Sequence, residues 1–227
     1  MSVKIDYLIN KQDNFEIVRD KIASILALEV ANQVYLAGQE GEESTDWDFD
    51  IYLERSNPWE LVEDTDGNVL RQTPLVNVYY ESSTISPGMS DSVERQTYDV
   101  VINIDCLSAK NNKLVDGEIK KGDELASLDV QRVARLVRNI IASAFYRKLE
   151  MPTIVHERVV HSITMFQPNI NDRPAQACIG ARVVVNVSIN EYSPQAVPET
   201  IDIVGGTITR GDDGLVYCNL RFEESDT

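Results

Sequence analysis

Apolar and polar residues alternate most cleanly in two stretches, Gln96 to Leu107 and Ala181 to Tyr192, and a period of two marks extended strands. In the first, Tyr98, Val100, Ile102, Ile104 and Cys106 share one side, and Thr97, Asp99, Asn103 and Asp105 the other. That predicts a sheet with one buried and one wet face, the usual antiparallel arrangement. In the second, Ala181, Val183, Val185, Val187 and Ile189 form the apolar side of a strand that begins near Ala175, with Gly180 expected at a bulge or bend.

Helical spacing governs two other segments. Val18, Ile22, Ile25 and Leu26 make one apolar face of a helix over Asn14 to Gln33, which Asp13 or Asn14 can cap. Val34-Tyr35-Leu36 is expected to begin a strand. Val130, Val133, Ala134, Val137, Ile140, Ile141 and Ala144 form the stripe of a second helix over Asp123 to Lys148, about 39 Å long at the α-helical rise. Asp123 is its expected cap, and Pro152 marks its end.

Shorter pieces complete the pattern. Residues 37 to 50 read as an acidic loop, and Ile51 to Glu54 as a short strand. Residues 60 to 74 read as an inserted hairpin turning at Asp64 to Asn68. Leu75 to Glu81 and Thr153 to Phe166 read as strands, the latter bent or bulged. Ser82 to Asp91, 108 to 122 and Pro168 to Pro174 read as polar connections. Beyond Ser193-Pro194, Ile201 to Thr209 and Leu215 to Phe222 flank Gly211-Asp212-Asp213-Gly214 as a hairpin, with a frayed end from Glu223. The expected fold is α+β, a mostly antiparallel sheet flanked by two main helices with a C-terminal β-hairpin arm. The expected division is a core over 1–195, carrying an acidic insertion at about 37–74, and an extension over 196–227.

Charge changes the functional picture. The chain of 227 residues has a formal net charge of −16, which opposes nonspecific affinity for nucleic acid or an anionic membrane. It leaves room for DNA to pass an acidic wall without being bound. No apolar run approaches the roughly 20 residues of a membrane span, and the N-terminus lacks a signal-peptide apolar region. Cys106, Cys178 and Cys218 are odd in number and widely spaced, which fits a reducing cytosol. Cys106 falls on an apolar strand face as a small buried hydrophobe.

Candidate chemistry is sparse. His156 and His161 are the only histidines, and their odd spacing on one strand places them on opposite faces. No nucleophile elbow surrounds a Ser or Cys. Asp64, Asp66 and Asn68 imitate the start of a calcium loop, but position twelve is Leu75 rather than an acid. Asp46, Asp48 and Asp50 alternate as along a strand edge. The glutamates near Glu40 to Glu43 have no feature of an acid/base pair. No catalytic, metal or cofactor residue is assigned. Arg132, Arg135 and Arg138 lie opposite the stripe of the second helix and form a positive face on an acidic protein. Read plainly, that is a solvated face with local ion pairs. Read more sharply, it is a subunit contact, because the planar guanidinium pairs bidentately with carboxylates on a neighbour.

Four segments carry a resemblance. They are Val76-Asn77-Val78-Tyr79-Tyr80, the strand from Glu94 to Cys106, Gln131-Arg132-Val133-Ala134-Arg135-Leu136-Val137-Arg138-Asn139-Ile140, and Gly180-Ala181-Arg182 through Asn190-Glu191-Tyr192-Ser193-Pro194-Gln195. In this order the chain resembles, over residues 75 to 195, the tail-terminator (tail-completion) neck proteins of long-tailed, contractile-tailed bacteriophages. The resemblance implies a virion protein assembled in the host cytoplasm. It would form a six-fold homo-oligomeric ring on the last tail-tube ring, stop tube growth, and dock the head connector or stopper. It also implies possible sheath contact, DNA passing through the lumen without specific binding, no membrane, and no enzymatic activity. Alternatives are another connector, stopper or tail component, a soluble binding module, and a metal-dependent hydrolase using Asp46 to Asp50.

Overall fold

The computed structural model describes residues 12–85, 95–115, 117–170, 173–192, 206–210 and 216–220. Helix α1 spans Asn14–Glu40 and begins in a capping box: the Asp13 carboxylate accepts from the Glu16 backbone N–H, and the Glu16 carboxylate accepts from that of Asp13, while the Asn14 N–H also donates to Asp13. It runs on through Val34-Tyr35-Leu36, where a strand was expected, and closes at Gly41, whose φ of 78° is the left-handed cap that glycine tolerates. The β-branched Val34 is thus overridden by a continuous helix, and Tyr35 and Leu36 stay exposed on its overhanging end.

Eleven strands and one more α-helix follow among the described residues. Strand β1 is Asp50–Leu53, β2 Leu75–Ile85, β3 Arg95–Ala109, β4 Lys113–Val115 and β5 Glu118–Lys120. Helix α2 is Gly122–Ala142, then β6 Val155–Phe166, β7 Asn169–Ile170, β8 Arg173–Pro174 and β9 Cys178–Tyr192. Strands β10, Gly206–Arg210, and β11, Val216–Leu220, pair antiparallel with each other as the C-terminal hairpin. The turn expected at Gly211 to Gly214, the Cys218 side chain and the end from Glu223 lie outside the described residues.

The main sheet has the order β1-β2-β3-β9-β6, with only β1 and β2 parallel. The fold is therefore α+β, with both helices packed on one face. Parallel neighbours cannot be joined by a tight turn, which explains residues 54–74. They form the crossover from β1 to β2, and the hairpin expected at 60–74 is present within it only as a minimal antiparallel pairing. Within it a 3-10 turn at Pro58–Leu61 and a single Glu63–Val69 bridge surround the Asp64–Asn68 turn. The connections expected at 108–122 and 168–174 carry the small hairpins β4–β5 and β7–β8.

Two cores result. The larger joins Val18, Ile22, Ile25 and Leu26 of α1 and Val130, Val133, Val137 and Ile141 of α2 to the alternating inward residues of β2, β3 and β9. The smaller lies across the sheet, where Val62 of the crossover together with Ile170 and Ala175 covers Leu75, Leu107, Ala109 and Cys178. The second face is accordingly not simply wet: Asn103 and Asp105, expected in water, are 1% and 2% exposed.

Helix α2 is about 8 Å shorter than expected, since 21 residues span about 31 Å. Ser143 leaves helical geometry and its side chain accepts from the Phe145 N–H, which starts a separate 3-10 turn, Ala144–Tyr146. Lys121, not Asp123, occupies the cap position; Asp123 sits in the first turn, where its charge suits the helix dipole. Gly122 is required because a Cβ there would lie 2.1 Å from the Lys110 carbonyl oxygen. Gly180 makes no bulge, since its pairing with Leu107 and Phe166 is in register. It leaves room for the Phe166 ring, which a Cβ would meet at 2.5 Å.

Candidate functional site

The two ends of α2 treat their charges differently. Toward the N-terminal end Asp129, a charged residue on the buried stripe, is 6% exposed. Its Oδ2 accepts from Ser108 Oγ at 2.7 Å and faces Lys110 Nζ at 2.9 Å, while Oδ1 takes Arg132. Arg132 also reaches Asp46 at 3.2 Å, and Lys110 Nζ donates to the Gln72 carbonyl at 2.6 Å. This cluster joins α2, β3, the crossover and the loop after α1. A buried carboxylate survives only with such partners. Ser108 is fully buried, so its hydroxyl holds Asp129 and cannot reach a substrate.

Toward the C-terminal end Arg135 and Arg138 are exposed and have no carboxylate within 4.0 Å among the described residues. Arg147, just past the 3-10 turn, is in the same condition. Of the three arginines read as a subunit face, Arg132 is thus held within its own chain, and Arg135 and Arg138 present their charge outward. Arg135 lines a cleft of about 530 Å³ with Glu29 and Gln33 of α1, Trp47, Asn139, Phe145 and Tyr146. The Tyr146 hydroxyl donates to Glu29, another residue of the cleft lining; burial first, and then that carboxylate, push its pKa upward. Phe145 remains 80% exposed, an apolar ring at the rim.

On the opposite face of the sheet Asp105 receives two bonds from Arg182, Nε at 2.7 Å and Nη2 at 2.9 Å. The guanidinium carbon lies 5.6 Å from the Tyr79 ring centre and 5.5 Å from that of Phe166. Hydrogen bonding to Asp105 raises the Arg182 pKa, and burial pushes Tyr79 up to about 12. Asn103 donates to Glu81 at 2.8 Å beside them. In the crossover, Glu63 is 2% exposed and its carboxylate accepts backbone N–H bonds from Gln176, Ala177 and Cys178 at 2.7, 2.8 and 2.6 Å. That clasp ties the crossover to the start of β9.

The remaining sequence candidates disperse. Asp46 lies in a 3-10 turn, Ser44–Trp47, and Asp50 on β1 paired with Arg71, so Asp46, Asp48 and Asp50 do not line one strand edge. The Asp64 carboxylate is filled by its own loop, accepting from the Asp66 and Asn68 N–H groups at 2.9 and 2.8 Å and from the Asn68 side chain. His156 and His161 are both exposed, and each is the extra residue at one of two bulges in β6. Burial raises the thiol pKa of Cys106, and that of Cys178 to about 12, so both are inert. Among the described residues no group of three or more His, Cys, Asp or Glu is placed to hold a metal. No helix among them is long and apolar enough to cross a membrane.

Sequence reasoning passed over Asp129, Asp105 with Arg182, and Glu63. Asp129 was visible as a charge at helical spacing between Ala126 and Val133. Asp105 and Arg182 needed the β3–β9 register, which pairs them directly. Glu63 carried no local signal. No protein-family model matches the chain, and no curated protein matches it.

Proposed function

We propose that this chain is a structural, non-enzymatic subunit of a phage neck. In that reading it is a tail terminator that forms a homo-oligomeric ring at the head-proximal end of the tail, ends tube growth and joins the tail to the head connector. The observation that carries the proposal is the C-terminal half of α2. Arg135 and Arg138 are exposed with no carboxylate partner among the described residues, on a chain with net charge −16 and beside the exposed Phe145 ring. Unpaired cations on an acidic protein favour contact with acidic surface on another copy, and a cyclic ring is built from two such unlike patches. The buried carboxylates among the described residues, Glu63, Asp105 and Asp129, by contrast meet structural partners. The resemblance over residues 75 to 195 supplies the phage context, and a six-fold ring with tube, connector and sheath neighbours belongs to it. An acidic lumen that passes DNA without gripping it agrees with the charge.

Negative-stain microscopy of particles made with and without the gene product tests the reading. Overlong tails in its absence are expected for a terminator, and normal-length tails without heads favour the connector or stopper alternative. Normal particles remove the structural role. At the molecular level, R135E/R138E is expected to abolish the ring mass seen by native mass spectrometry while the far-ultraviolet circular dichroism stays unchanged. An unaltered ring mass removes the arginine face from the interface.

A further inference from the structure

The small hairpin between β3 and α2 presents side chains that its own chain does not use. Strands β4 and β5 pair with each other as a separate two-stranded sheet. Such a ribbon is marginal in water on its own. Leu114 stands directly opposite Ile119, and each is 68% exposed, so an apolar pair faces solvent. The next pair is Lys113 opposite Lys120, and like charges directly across two strands destabilise a ribbon. Lys121 continues in extended geometry, which by alternation puts it on the side of Leu114 and Ile119. None of these three lysines has a carboxylate within 4.0 Å among the described residues. The base of the hairpin is nevertheless held. The Gly122 N–H donates to Asn112 Oδ1 at 2.8 Å, and Lys110 is fixed on Asp129 and the Gln72 carbonyl. An anchored arm with an apolar pair and unmatched lysines complements an apolar surface with an acidic border.

The chain carries such a surface elsewhere. Toward the overhanging end of α1, Leu28, Tyr35 and Leu36 recur at i, i+7 and i+8 and are exposed on one face. Glu40 lies one turn beyond Leu36, and Glu42 and Glu43 follow at and past the Gly41 cap, all exposed. Glu42 accepts from the Trp47 indole at 3.3 Å, whereas Glu40 and Glu43 have no cation within 4.0 Å among the described residues. The other exposed apolar row, Ile163 and Met165 on the edge strand β6, shares its face of the sheet with Arg158 and offers the lysines no acid. The hairpin and the end of α1 are both exposed, so neither covers the other within one chain.

We infer that the β4–β5 hairpin of one copy docks on the C-terminal end of α1 in the next copy, with Leu114 and Ile119 against Tyr35 and Leu36 and with Lys113, Lys120 and Lys121 facing Glu40 and Glu43. The inference rests on the ring reading above and names one contact of that ring. The two patches are unlike and every copy presents both, so the contact is heterologous and repeats from copy to copy. A stable subunit interface buries about 800 Å² a side. The hairpin therefore supplies part of it, and the arginine face of α2 contributes beside it. The opposed charges also steer the encounter and fix the register.

The test is thiol cross-linking of the full chain, in solution and on isolated tail tubes. The native Cys106 and Cys178 are buried, and Cys218 is replaced by Ser. With a short bismaleimide, Y35C/L114C is expected to give a ladder of dimer, trimer and larger covalent species, while Y35C or L114C alone gives none. A covalent dimer from either single variant marks a two-fold contact of like patches and overturns the inference. L114N/I119N is expected to raise the concentration needed for assembly at least ten-fold, with urea unfolding unchanged because both side chains are exposed. K113E/K120E is expected to do the same, and adding E40K/E43K to it is expected to restore assembly. Unchanged assembly of L114N/I119N overturns the inference and leaves the ring reading standing, as does a K113E/K120E defect that E40K/E43K fails to restore. A parent chain that stays monomeric both in solution and on tail tubes removes ring and contact together. An apolar tip beside lysines also fits an anionic lipid surface, which the net charge of −16 opposes. Cosedimentation with phosphatidylserine vesicles that L114N/I119N abolishes, while assembly persists, assigns the tip to lipid and overturns the contact.

Discussion

The two ends of α2 carry the same residue type and use it in opposite ways. Arg132 is held by Asp129 and Asp46 in a cluster that ties four segments together, while Arg135 and Arg138, one and two turns on, meet no described acid. The difference comes from what lies beneath the helix. Under the first end, Asp129 is trapped at the stripe facing Ser108 and Lys110, and a buried carboxylate must recruit cations. Under the second, the stripe is Val137, Ile140 and Ile141, which ask nothing of the arginines above them. One end holds the fold, and the other is free to meet a partner.

The largest effect that tests this division is expected from Asp129→Ala. The substitution leaves Ser108, Lys110 and Arg132 without their shared acceptor, and loss of one member of a buried charge cluster costs about 3 kcal/mol. Urea unfolding followed by circular dichroism measures it. A loss under about 1 kcal/mol, within the range of exposed ion pairs, means the cluster is no anchor. Arg132→Ala comes next. It removes one of three donors to Asp129 and leaves Lys110 and Ser108 in place, so about 1 to 2 kcal/mol is expected for a charge-assisted hydrogen bond lost at a partly exposed site. If Arg132→Ala instead abolishes assembly at full stability, Arg132 belongs with Arg135 and the two ends are not distinct. Asp46→Ala is smaller still. Its side chain is 59% exposed, so the pair with Arg132 contributes about 0.5 kcal/mol, and that contribution fades as salt is raised.

The same division explains what was legible in the sequence. Alternation and helical spacing are local, and they placed β3, β9, the apolar face of α1 and the stripe of α2 through Ile141 on the correct elements, while Ala144, read as part of that stripe, lies exposed in the 3-10 turn beyond it. The parallel β1–β2 pair was hidden, because nothing in residues 54–74 says whether they turn back or cross over. The end of α2 was hidden for a different reason. Ser143 stops the helix through one side-chain hydrogen bond, while the apolar pattern continues through Phe145, Tyr146 and the buried Leu149. In the candidate site, composition exposed the arginine face but not its partition. Arg132 is tied down by Asp129, three residues away on the same helix, and by Asp46, which is distant in the chain and adjacent only in the fold.

The smallest expected effect on stability is the most discriminating. Reversing Arg135 and Arg138 to Glu perturbs more than the partner contact, because it places anions toward the C-terminal end of α2, where the helix dipole disfavours them by about 0.3 to 1 kcal/mol. R135Q/R138Q avoids that. Gln matches Arg closely in helix propensity, and both sites lose only a solvated charge. The unfolding free energy is therefore expected to stay within about 0.5 kcal/mol of the parent chain. The same variant is expected to lose most of its assembly, since neutral amides cannot pair with a neighbour's carboxylates as the guanidinium fork does. Asp129→Ala should show the inverse profile, with stability lost and assembly of the remaining folded fraction retained. If R135Q/R138Q instead unfolds as readily as Asp129→Ala, the arginines serve the fold, and the outward end of α2 is only the solvated edge of the same anchor.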